Sequence, residues 1–491
     1  MPIDNSIRGG GSFLFMRESF LSSEGDNFMK KSILIIALCS LIAIFAISCK
    51  NEPQMPPDSV WDGTTVDTGW YKEGENSFSL DSASQLAGLA ALVNAGHTFD
   101  GKTVTLSVNV DLDSNPWTPI GTGIRSGETV AEGAKVFSGT FDGKNHSIKN
   151  LVIDANSVDN KDNCVGFFSV VNAGKVSNVV YKNAKVTSNT SKTAGIAVGY
   201  AIANSTIDNV CVEKDSTITA LEAGGIIGRM SVSGTILNCE NYASVITTSG
   251  GAGGIVGKAY YSETGKTIAI NNSKNYGTIS ATNGGYVGGI AGLFAGEMTS
   301  CENNGKITGT STSIGGIVGE MTNYGFVKNS INNGEVTCTG KANNLYGLGG
   351  IVGWIRYQND TDAYKRTEII EVSGNANNAS IIGDKSAGVG GIVGMLFNVG
   401  KIENNTSNAP QLKGKLFVSG IVGAHQKNTE NALSDKIKET MVKNNTSTTI
   451  NEMILGTSTD SCRATIIYIN EKEMDTIDNI AGNTPENIVL K

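Results

Sequence analysis

Two stretches of the 491-residue sequence combine tryptophan, tyrosine and arginine, the residue types that anchor protein interfaces and stack on sugar rings. One stretch runs from 354 to 366 and the other from 258 to 263. The candidate binding residues in them are Trp354, Arg356, Tyr357, Tyr364, Tyr260 and Tyr261. We predict that they bind a glycan or a host or matrix protein. The alternative is that both stretches are solvated loops with one ring packed against the body of the protein.

Signatures of catalysis and metal binding are poorly developed. The three histidines are far apart, and the glycine-rich strings do not occur in the context of a phosphate-binding loop. The stretch from Asp111 to Asn115 alternates oxygen donors as a calcium loop does, but Pro116 stands where such a loop needs glycine. We therefore predict no catalytic residues, no metal and no cofactor. The alternative is a carbohydrate-active lyase or hydrolase whose paired carboxylates come from different parts of the chain.

The N-terminal region has the layout of an export signal. Met29-Lys30-Lys31 precedes an apolar run over 33–47, which is too short for a membrane span of about 20 residues. The run ends at Ser48-Cys49 and resembles a bacterial lipoprotein box, in which the cysteine is cleaved and acylated. We predict an upstream extension (1–28), a signal peptide (29–48), lipidation at Cys49 and a tether (49–62). The alternative is an ordinary secretory signal that happens to contain Cys49.

The net charge and the spacing of the cysteines argue against two classes of protein, nucleic-acid binders and disulfide-rich domains. The formal net charge is −8, and the residues before Cys49 carry four basic and four acidic side chains, so the processed chain stays acidic. An acidic chain without a basic patch is a poor ligand for nucleic acid, so we predict no nucleic-acid partner. The six cysteines beyond Cys49 show no CxxC spacing and do not indicate a disulfide framework.

A five-residue phrase, Gly315-Gly316-Ile317-Val318-Gly319, organises the rest of the chain. It recurs in nine copies from Val165 to Gly423, at intervals of about thirty residues. Such a period is typical of a stacked repeat fold, and the shortage of amphipathic helical patterns favours strands. We therefore predict an all-β parallel β-solenoid (β-helix) of about ten coils, with a short N-terminal capping helix.

A second column of the repeat places asparagine after Ile-x or Val-x in most coils. Ser300 and Gly374 fill the column in the two remaining copies. We predict that these asparagines form a ladder of side-chain hydrogen bonds from coil to coil. The members are Asn150, Asn178, Asn209, Asn238, Asn272, Asn329, Asn404 and Asn444.

The length of each repeat varies mainly in one place. From the asparagine column to the last glycine of the next phrase the separation is 19–24 residues, whereas from that glycine to the next asparagine it is 8–21. Insertions confined to one position of a repeat stack along one edge of a solenoid. We predict that the aromatic stretches lie on this edge.

The ends of the array have their own patterns. Ser82-Ala83-Ser84-Gln85 is a capping box that predicts a helix ending near Gly96, followed by a strand over 104–112. We assign 63–135 to an N-terminal cap module, 136–450 to the repeats and 451–491 to a C-terminal cap.

The recurring Gly-Gly-Ile-Val-Gly and its partner segment Asn304-Gly305-Lys306-Ile307 resemble the GLUG-motif repeats of bacterial surface proteins. The resemblance covers roughly residues 80–450. It implies an exported, cell-surface β-solenoid, often beside adhesion modules and without an assigned activity. Some members are attached to an IgA-cleaving metallopeptidase, but this chain has no HExxH motif. We expect a non-catalytic, adhesin-like or structural lipoprotein that faces outward from the bacterial outer membrane.

Overall fold

The computed structural model describes residues 58–156, 164–188, 193–260, 267–310, 313–340, 347–356, 370–397, 400–426 and 441–448. These residues form two large sheets in which all strand pairings are parallel, as well as one helix and one small antiparallel hairpin. The prediction of a parallel β-solenoid with an N-terminal helix is confirmed. The upstream extension, the signal peptide, Cys49 and the C-terminal cap lie outside the described residues, as do residues 49–57 of the tether.

Column A of the larger sheet is the set of strands that follow the glycine phrase. Its strands are Phe168–Asn172, Val198–Ile202, Ile227–Ser231, Val256–Tyr260, Ala291–Thr299, Val318–Lys328, Val352–Arg356, Val393–Phe397 and Val422–Gln426. Column B comes next in each coil. Its strands are Thr140–Asp142, Lys175–Lys182, Ser205–Val212, Gly234–Leu237, Ile268–Asn271, Glu371–Ser373, Lys401–Glu403 and Met441–Lys443, and two long strands of column A continue into it.

Column C is the third column of the same sheet and follows the asparagine turn. Its strands are Ser147–Lys149, Glu240–Asn241, Lys274–Asn275, Glu302–Asn303, Ile331–Asn332, Ala376–Asn377, Thr406–Ser407 and Thr446–Ser447. Two strands of column B, in the coils before Glu240, extend into it.

The smaller sheet closes each coil with two further columns. Column D contains Val152–Asp154, Lys185–Ser188, Thr217–Ala220, Ser244–Thr247, Ile279–Ala281, Ile307–Gly309, Val336–Cys338, Ile381–Gly390 and Leu412–Ser419. Column E contains Cys164–Val165, Thr193–Gly195, Ala223–Gly224, Ala252–Gly253, Tyr286–Gly288, Ser313–Gly315 and Leu348–Gly349, and the last two strands of column D continue into it.

The N-terminal module extends the larger sheet. Strand Ser77–Leu80 pairs with Thr103–Leu106, which pairs with Thr140–Asp142, and Ser59–Val60 pairs with Val110–Asp111, which pairs with Ser147–Lys149. The strand predicted over 104–112 is therefore two strands, separated at 107–109. A hairpin of Arg125–Ser126 and Thr129–Val130 follows.

The capping helix spans Ala83–Ala95. The Ser82 hydroxyl accepts a hydrogen bond from the Gln85 amide, and Gly96 ends the helix with a φ of 110°. Its buried side chains, such as Leu86, Leu89 and Val93, belong to the main core. These are the residues at helical spacing in the sequence, so the prediction of this helix is confirmed.

All nine glycine phrases are in register along column E. Val165 lies opposite Ala194, and the pairing continues from Gly195 through Gly315 to Ser419. The nine copies give eight steps, which at roughly 4.8 Å each make a stack of about 38 Å.

The glycine phrases mark nine coils, against about ten predicted. The predicted asparagine column likewise has nine members, because Asn150 does not belong to it. Lys149 pairs with Lys182, so Asn150 lies beside Asn183, whereas Asn178 pairs one coil on with Asn209. The Ile-x-Asn form is present at both turns, and only the strand register separates them.

The predicted asparagine column is a backbone turn. Its members have φ values of 51–56°, with Gly374 at 68°, in the left-handed region that asparagine and glycine tolerate best. In this column Asn209 donates to Asn178 at 2.9 Å, whereas Asn178 and Asn238 donate to the neighbouring Asp142 and Asp208. The φ requirement explains why asparagine recurs there.

A continuous buried ladder lies three residues further on, in column C. Asn241 donates to Asn275 at 2.9 Å, and each later step is 2.8 Å. We call this series the inner ladder; its members are fully buried, and they are Asn241, Asn275, Asn303, Asn332 and Asn377.

In the five phrases from Gly224 to Gly353, the second glycine packs against the inner ladder. A Cβ built on Gly316 would lie 2.3 Å from Cγ of Asn332 and 2.1 Å from the carbonyl oxygen of Gly350. Gly254 and Gly289 meet Asn275 and Asn303 in the same way. The sequence therefore needs glycine here because the backbone approaches a buried amide too closely for any side chain.

The length variation is distributed over two edges. Four segments outside the described residues follow strands of column A: 261–266, 357–369, 398–399 and 427–440. Four further segments outside the described residues precede strands of column E or its continuation: 157–163, 189–192, 311–312 and 341–346. The two longest of these segments, 357–369 and 427–440, both follow column A in the chain.

Replacing Gly316 by alanine should lower the free energy of unfolding by about 3 kcal/mol, because the methyl group would overlap Asn332 and the Gly350 carbonyl. Gly74→Ala is the matched control, since a Cβ at Gly74 meets no atom within 4 Å. Denaturant midpoints measure both variants. Equal midpoints for the two would contradict the close packing of phrase and ladder.

Candidate binding site on the outer face of column A

Alternate positions of column A face away from the main core. Ala201, Met230, Phe294 and their equivalents belong to the main core, whereas the neighbouring positions do not. Strand register stacks these positions in one line, which we call the outer row. Its members are Tyr200, Arg229, Lys258, Leu293, Glu320, Trp354 and Met395.

The hairpin at 125–130 covers the first coils of the outer row. Glu128 bridges to the Arg229 guanidinium at 2.5 Å and accepts a hydrogen bond from Ser231 at 2.7 Å. Burial acts to lower the pKa of Arg229, but the adjacent Glu128 carboxylate outweighs it and the pKa is raised. Burial also raises the pKa of Tyr200 to about 12. This ion pair fixes the hairpin on the solenoid.

Lys258 occupies the next coil. Its amine forms no ion pair or hydrogen bond with the described residues. Burial lowers the pKa of Lys258, and the nearby Glu222 carboxylate opposes this effect. Glu222 and Tyr286 line a neighbouring polar cavity of about 300 Å³ beside Gly250 and Gly251. A polar cavity therefore lies near the middle of the outer row.

Glu320, Trp354 and Arg356 form a compact cluster two coils further on. Glu320 lies opposite Trp354 in the strand register, and its Oε1 accepts a hydrogen bond from Arg356 Nε at 2.8 Å. The Arg356 guanidinium carbon lies 5.4 Å from the centre of a Trp354 ring, within range of a cation–π interaction. The Glu320 side chain is fully buried, whereas that of Arg356 is 28% exposed. Arg356 therefore links a buried carboxyl to the surface.

Burial raises the pKa of Glu320 to about 7, although the Arg356 guanidinium opposes the shift. A carboxyl buried in this way is expensive to keep ionised, and one hydrogen-bonded cation offsets only part of the cost. Near neutral pH the pair therefore exchanges between an ionised and a protonated form.

Three of the six predicted binding residues lie on this face. Trp354 is in the outer row, and Tyr260 and Arg356 occupy the outward position two residues after the row in their coils. All three are half-buried, and Tyr260 packs partly against the core. Tyr261, Tyr357 and Tyr364 lie outside the described residues. The structure brings Trp354 and Arg356 together and places Tyr260 on the same column of strands, three coils away.

The sequence did not indicate Glu320, Lys258 or Arg229 as parts of a site. Each follows the last glycine of a phrase directly, and the fixed distance from that glycine is the signal that would have aligned them. The pairing of Glu320 with Arg356 needed the strand register, because 36 residues separate the two in sequence.

An apolar cavity of about 380 Å³ lies at the N-terminal end of the smaller sheet. Trp117 lines it and stacks on Phe167, with ring centres 5.0 Å apart. The described residues contain no group of three His, Cys, Asp or Glu side chains placed to hold a metal ion. Within the same residues, no helix has the length and apolar character needed to cross a membrane.

Lowering the pH from about 8 to about 5 should raise stability through Glu320. Its folded pKa is about 7, against 4.5 for an unperturbed side chain, so the folded state binds more protons in this window and gains stability as protons are added. The gain should be about 3 kcal/mol at most. In the Glu320→Gln variant this gain should be absent, so that the denaturant midpoint depends less on pH than it does in the wild type. An unchanged pH dependence in this variant would contradict the assignment.

Comparison with known proteins finds partial similarity to a protein sequence and to a solved structure. No family model matches the chain. It is 29% identical over 194 residues to Halomucin from Haloquadratum walsbyi (strain DSM 16790 / HBSQ001), and the match covers 38% of this chain and 2% of Halomucin. The solved structure of a candidate immunoglobulin A1 protease from Bacteroides ovatus is 21% identical, with a TM-score of 0.42, over 61% of this chain and 83% of that one.

Proposed function

We propose that the protein is a lipid-anchored module of the bacterial cell envelope that binds a partner through the outer face of column A and has no catalytic activity. The observation that carries the proposal is the position of Tyr260, Trp354 and Arg356. They share one face, and Tyr260 and Arg356 are the last described residues before the insertions at 261–266 and 357–369. The proposed recognition residues therefore lie next to the points where the two insertions begin in the sequence.

The charge arrangement supports binding in preference to a purely structural spacer. Arg356 is partly exposed, lies over the Trp354 ring and is held by a buried carboxylate. A guanidinium ordered in this way costs less conformational entropy when it contacts a ligand than a free surface arginine does. Glycans and matrix proteins, which offer hydroxyl and carboxylate groups, are the ligand classes that we propose.

The anchor and the location rest on the sequence. Cys49 follows a basic pair and an apolar core, and eight residues separate it from the first described residue, Asp58. The resemblance to GLUG-motif proteins and the similarity to Halomucin support a place in the cell envelope. We propose an outer-membrane lipoprotein whose solenoid faces outward.

A carbohydrate-active enzyme is the second candidate, because a carboxyl with a pKa of about 7 is suited to general acid catalysis. However, the Glu320 side chain is fully buried and is bonded to Arg356. A saccharide on the outer face of column A would not contact it without displacement of Arg356. This geometry favours the non-catalytic proposal.

Protease treatment of intact cells tests the location. We expect loss of the wild-type protein from intact cells and release of the Cys49→Ala variant from the membrane fraction. Full protection of the wild-type protein until lysis would place the solenoid in the periplasm and would overturn the outward-facing proposal.

Trp354→Ala tests the binding face. With the full-length lipoprotein on arrays of glycans and matrix proteins, we expect a loss of affinity of at least tenfold for at least one ligand that the wild type binds, since truncation of a central aromatic anchor typically costs this much. Lys185→Ala, an exposed position in column D, is the control and should bind as the wild type does. Equal affinity for the two variants would contradict the assignment of the site to column A.

A further inference from the structure

A second ordered surface lies on the outward side of column C, at the residue that follows each inner-ladder position. The register of the inner ladder aligns these residues on six successive coils. We call them the amide stripe; they are Tyr242, Tyr276, Asn304, Asn333, Asn378 and Asn408. Five steps of roughly 4.8 Å give the stripe a length of about 24 Å.

The four asparagines of the stripe form a hydrogen-bonded series in contact with solvent. Asn333 donates to Asn304 at 3.0 Å, Asn378 donates to Asn333 at 2.9 Å, and Asn408 donates to Asn378 at 3.0 Å. A primary amide has two donor hydrogens and an oxygen with two lone pairs. Asn333 donates its second hydrogen to Glu302 at 3.1 Å, whereas Asn378 keeps one hydrogen for a ligand. Each of these two amide oxygens also keeps a lone pair, in a fixed orientation.

The other end of the stripe is aromatic. The Tyr242 and Tyr276 rings are stacked, with centres 4.5 Å apart and planes 6° from parallel. The Tyr242 hydroxyl donates to Glu240 at 3.0 Å, and 36% of Tyr242 remains exposed. The stacked pair is rigid, so its exposed surface can contact the apolar side of a ligand at little cost in entropy.

Most of the charges beside the stripe are paired, and the Glu240 carboxylate accepts the hydrogen bond from the Tyr242 hydroxyl. Lys274 lies 3.9 Å from Glu302, and Lys306 lies 2.8 Å from Glu335 on the following turn of the coils. The stripe therefore presents neutral donors and acceptors between paired charges. This pattern suits a ligand that is itself uncharged and rich in hydroxyl groups, and it gives no steering to a polyanion.

We propose that the amide stripe binds an extended, uncharged polysaccharide that runs along the axis of the stack. The coil repeat is close to the length of one pyranose unit in an extended 1,4-linked chain, so successive sugars can meet successive amides. Their hydroxyls exchange hydrogen bonds with Asn304, Asn333 and Asn378, and a sugar at the end packs on the tyrosine pair. This site is separate from the binding face of column A and does not depend on it.

Isothermal titration of the full-length protein with cellohexaose and with chitohexaose tests the proposal, with hexagalacturonate as the charged comparison. We expect saturable binding of at least one neutral hexasaccharide and at least tenfold weaker binding by the Asn333→Ala/Asn378→Ala double variant. Both positions are exposed, so the double variant should retain the wild-type denaturant midpoint. Lys185→Ala, an exposed position in column D, is the matched control and should bind these sugars as the wild type does.

Three results would overturn the proposal. They are the absence of saturable binding to both neutral hexasaccharides, wild-type affinity in the double variant, and stronger binding of hexagalacturonate than of either neutral sugar. Binding that is lost in Trp354→Ala and retained in the double variant would assign the glycan to column A. That result would remove the amide stripe as a site and leave the proposed function standing.

Discussion

The contact between a glycine backbone and a buried asparagine amide is the constraint on which the solenoid depends. At each coil from Gly225 to Gly350 the second glycine of the phrase lies against an amide of the inner ladder, at a distance that excludes a Cβ. The amides of Asn241, Asn275, Asn303 and Asn332 each donate to the neighbour in the next coil, so that these buried groups have hydrogen-bond partners. In the last two coils Ser407 and Ser447 take the ladder positions and meet Gly391 and Gly420. The glycine directly follows a strand of column E in the smaller sheet, and the asparagine belongs to column C of the larger sheet. The contact between them therefore fixes the strand register of both sheets.

That register determines which side chains meet on the surface. Arg229, Glu320 and Trp354 share the outer row only because the last glycine of every phrase occupies the same position in its coil. Two of the three ionisable groups on this row that carry charge are held by partners, Arg229 by Glu128 and Glu320 by Arg356. A fixed row of this kind suits recognition, since the groups that contact a ligand are ordered before it arrives.

Much of the architecture was predictable because the glycine phrase has a steric cause that leaves a clear pattern in the sequence. The phrase located all nine coils, and the capping box located the helix. The asparagine pattern was less informative, because asparagine recurs for two different reasons in positions three residues apart. Asn238 adopts a positive φ in a turn, whereas the side chain of Asn241 is buried in the inner ladder. The sequence alone does not distinguish an asparagine needed for a turn from one whose side chain points inward. Asn150 was assigned to the wrong turn for a related reason, since its local form matches that of Asn178. The hydrogen bond between Glu320 and Arg356 joins two adjacent coils, and only the strand register could have predicted it.

Hydrogen exchange of the asparagine side-chain amides tests the central constraint most directly. With ¹⁵N-asparagine labelling, the Nδ2 hydrogens of Asn275, Asn303 and Asn332 can be compared by NMR with those of the exposed Asn378 and Asn408. Buried, hydrogen-bonded amides exchange only when the structure opens, so the account predicts exchange of the three inner-ladder amides that is slower by orders of magnitude. Exchange at the same rate in both groups would show that the inner ladder is open to water, and the glycine–asparagine contact would then not be what holds the coils in register.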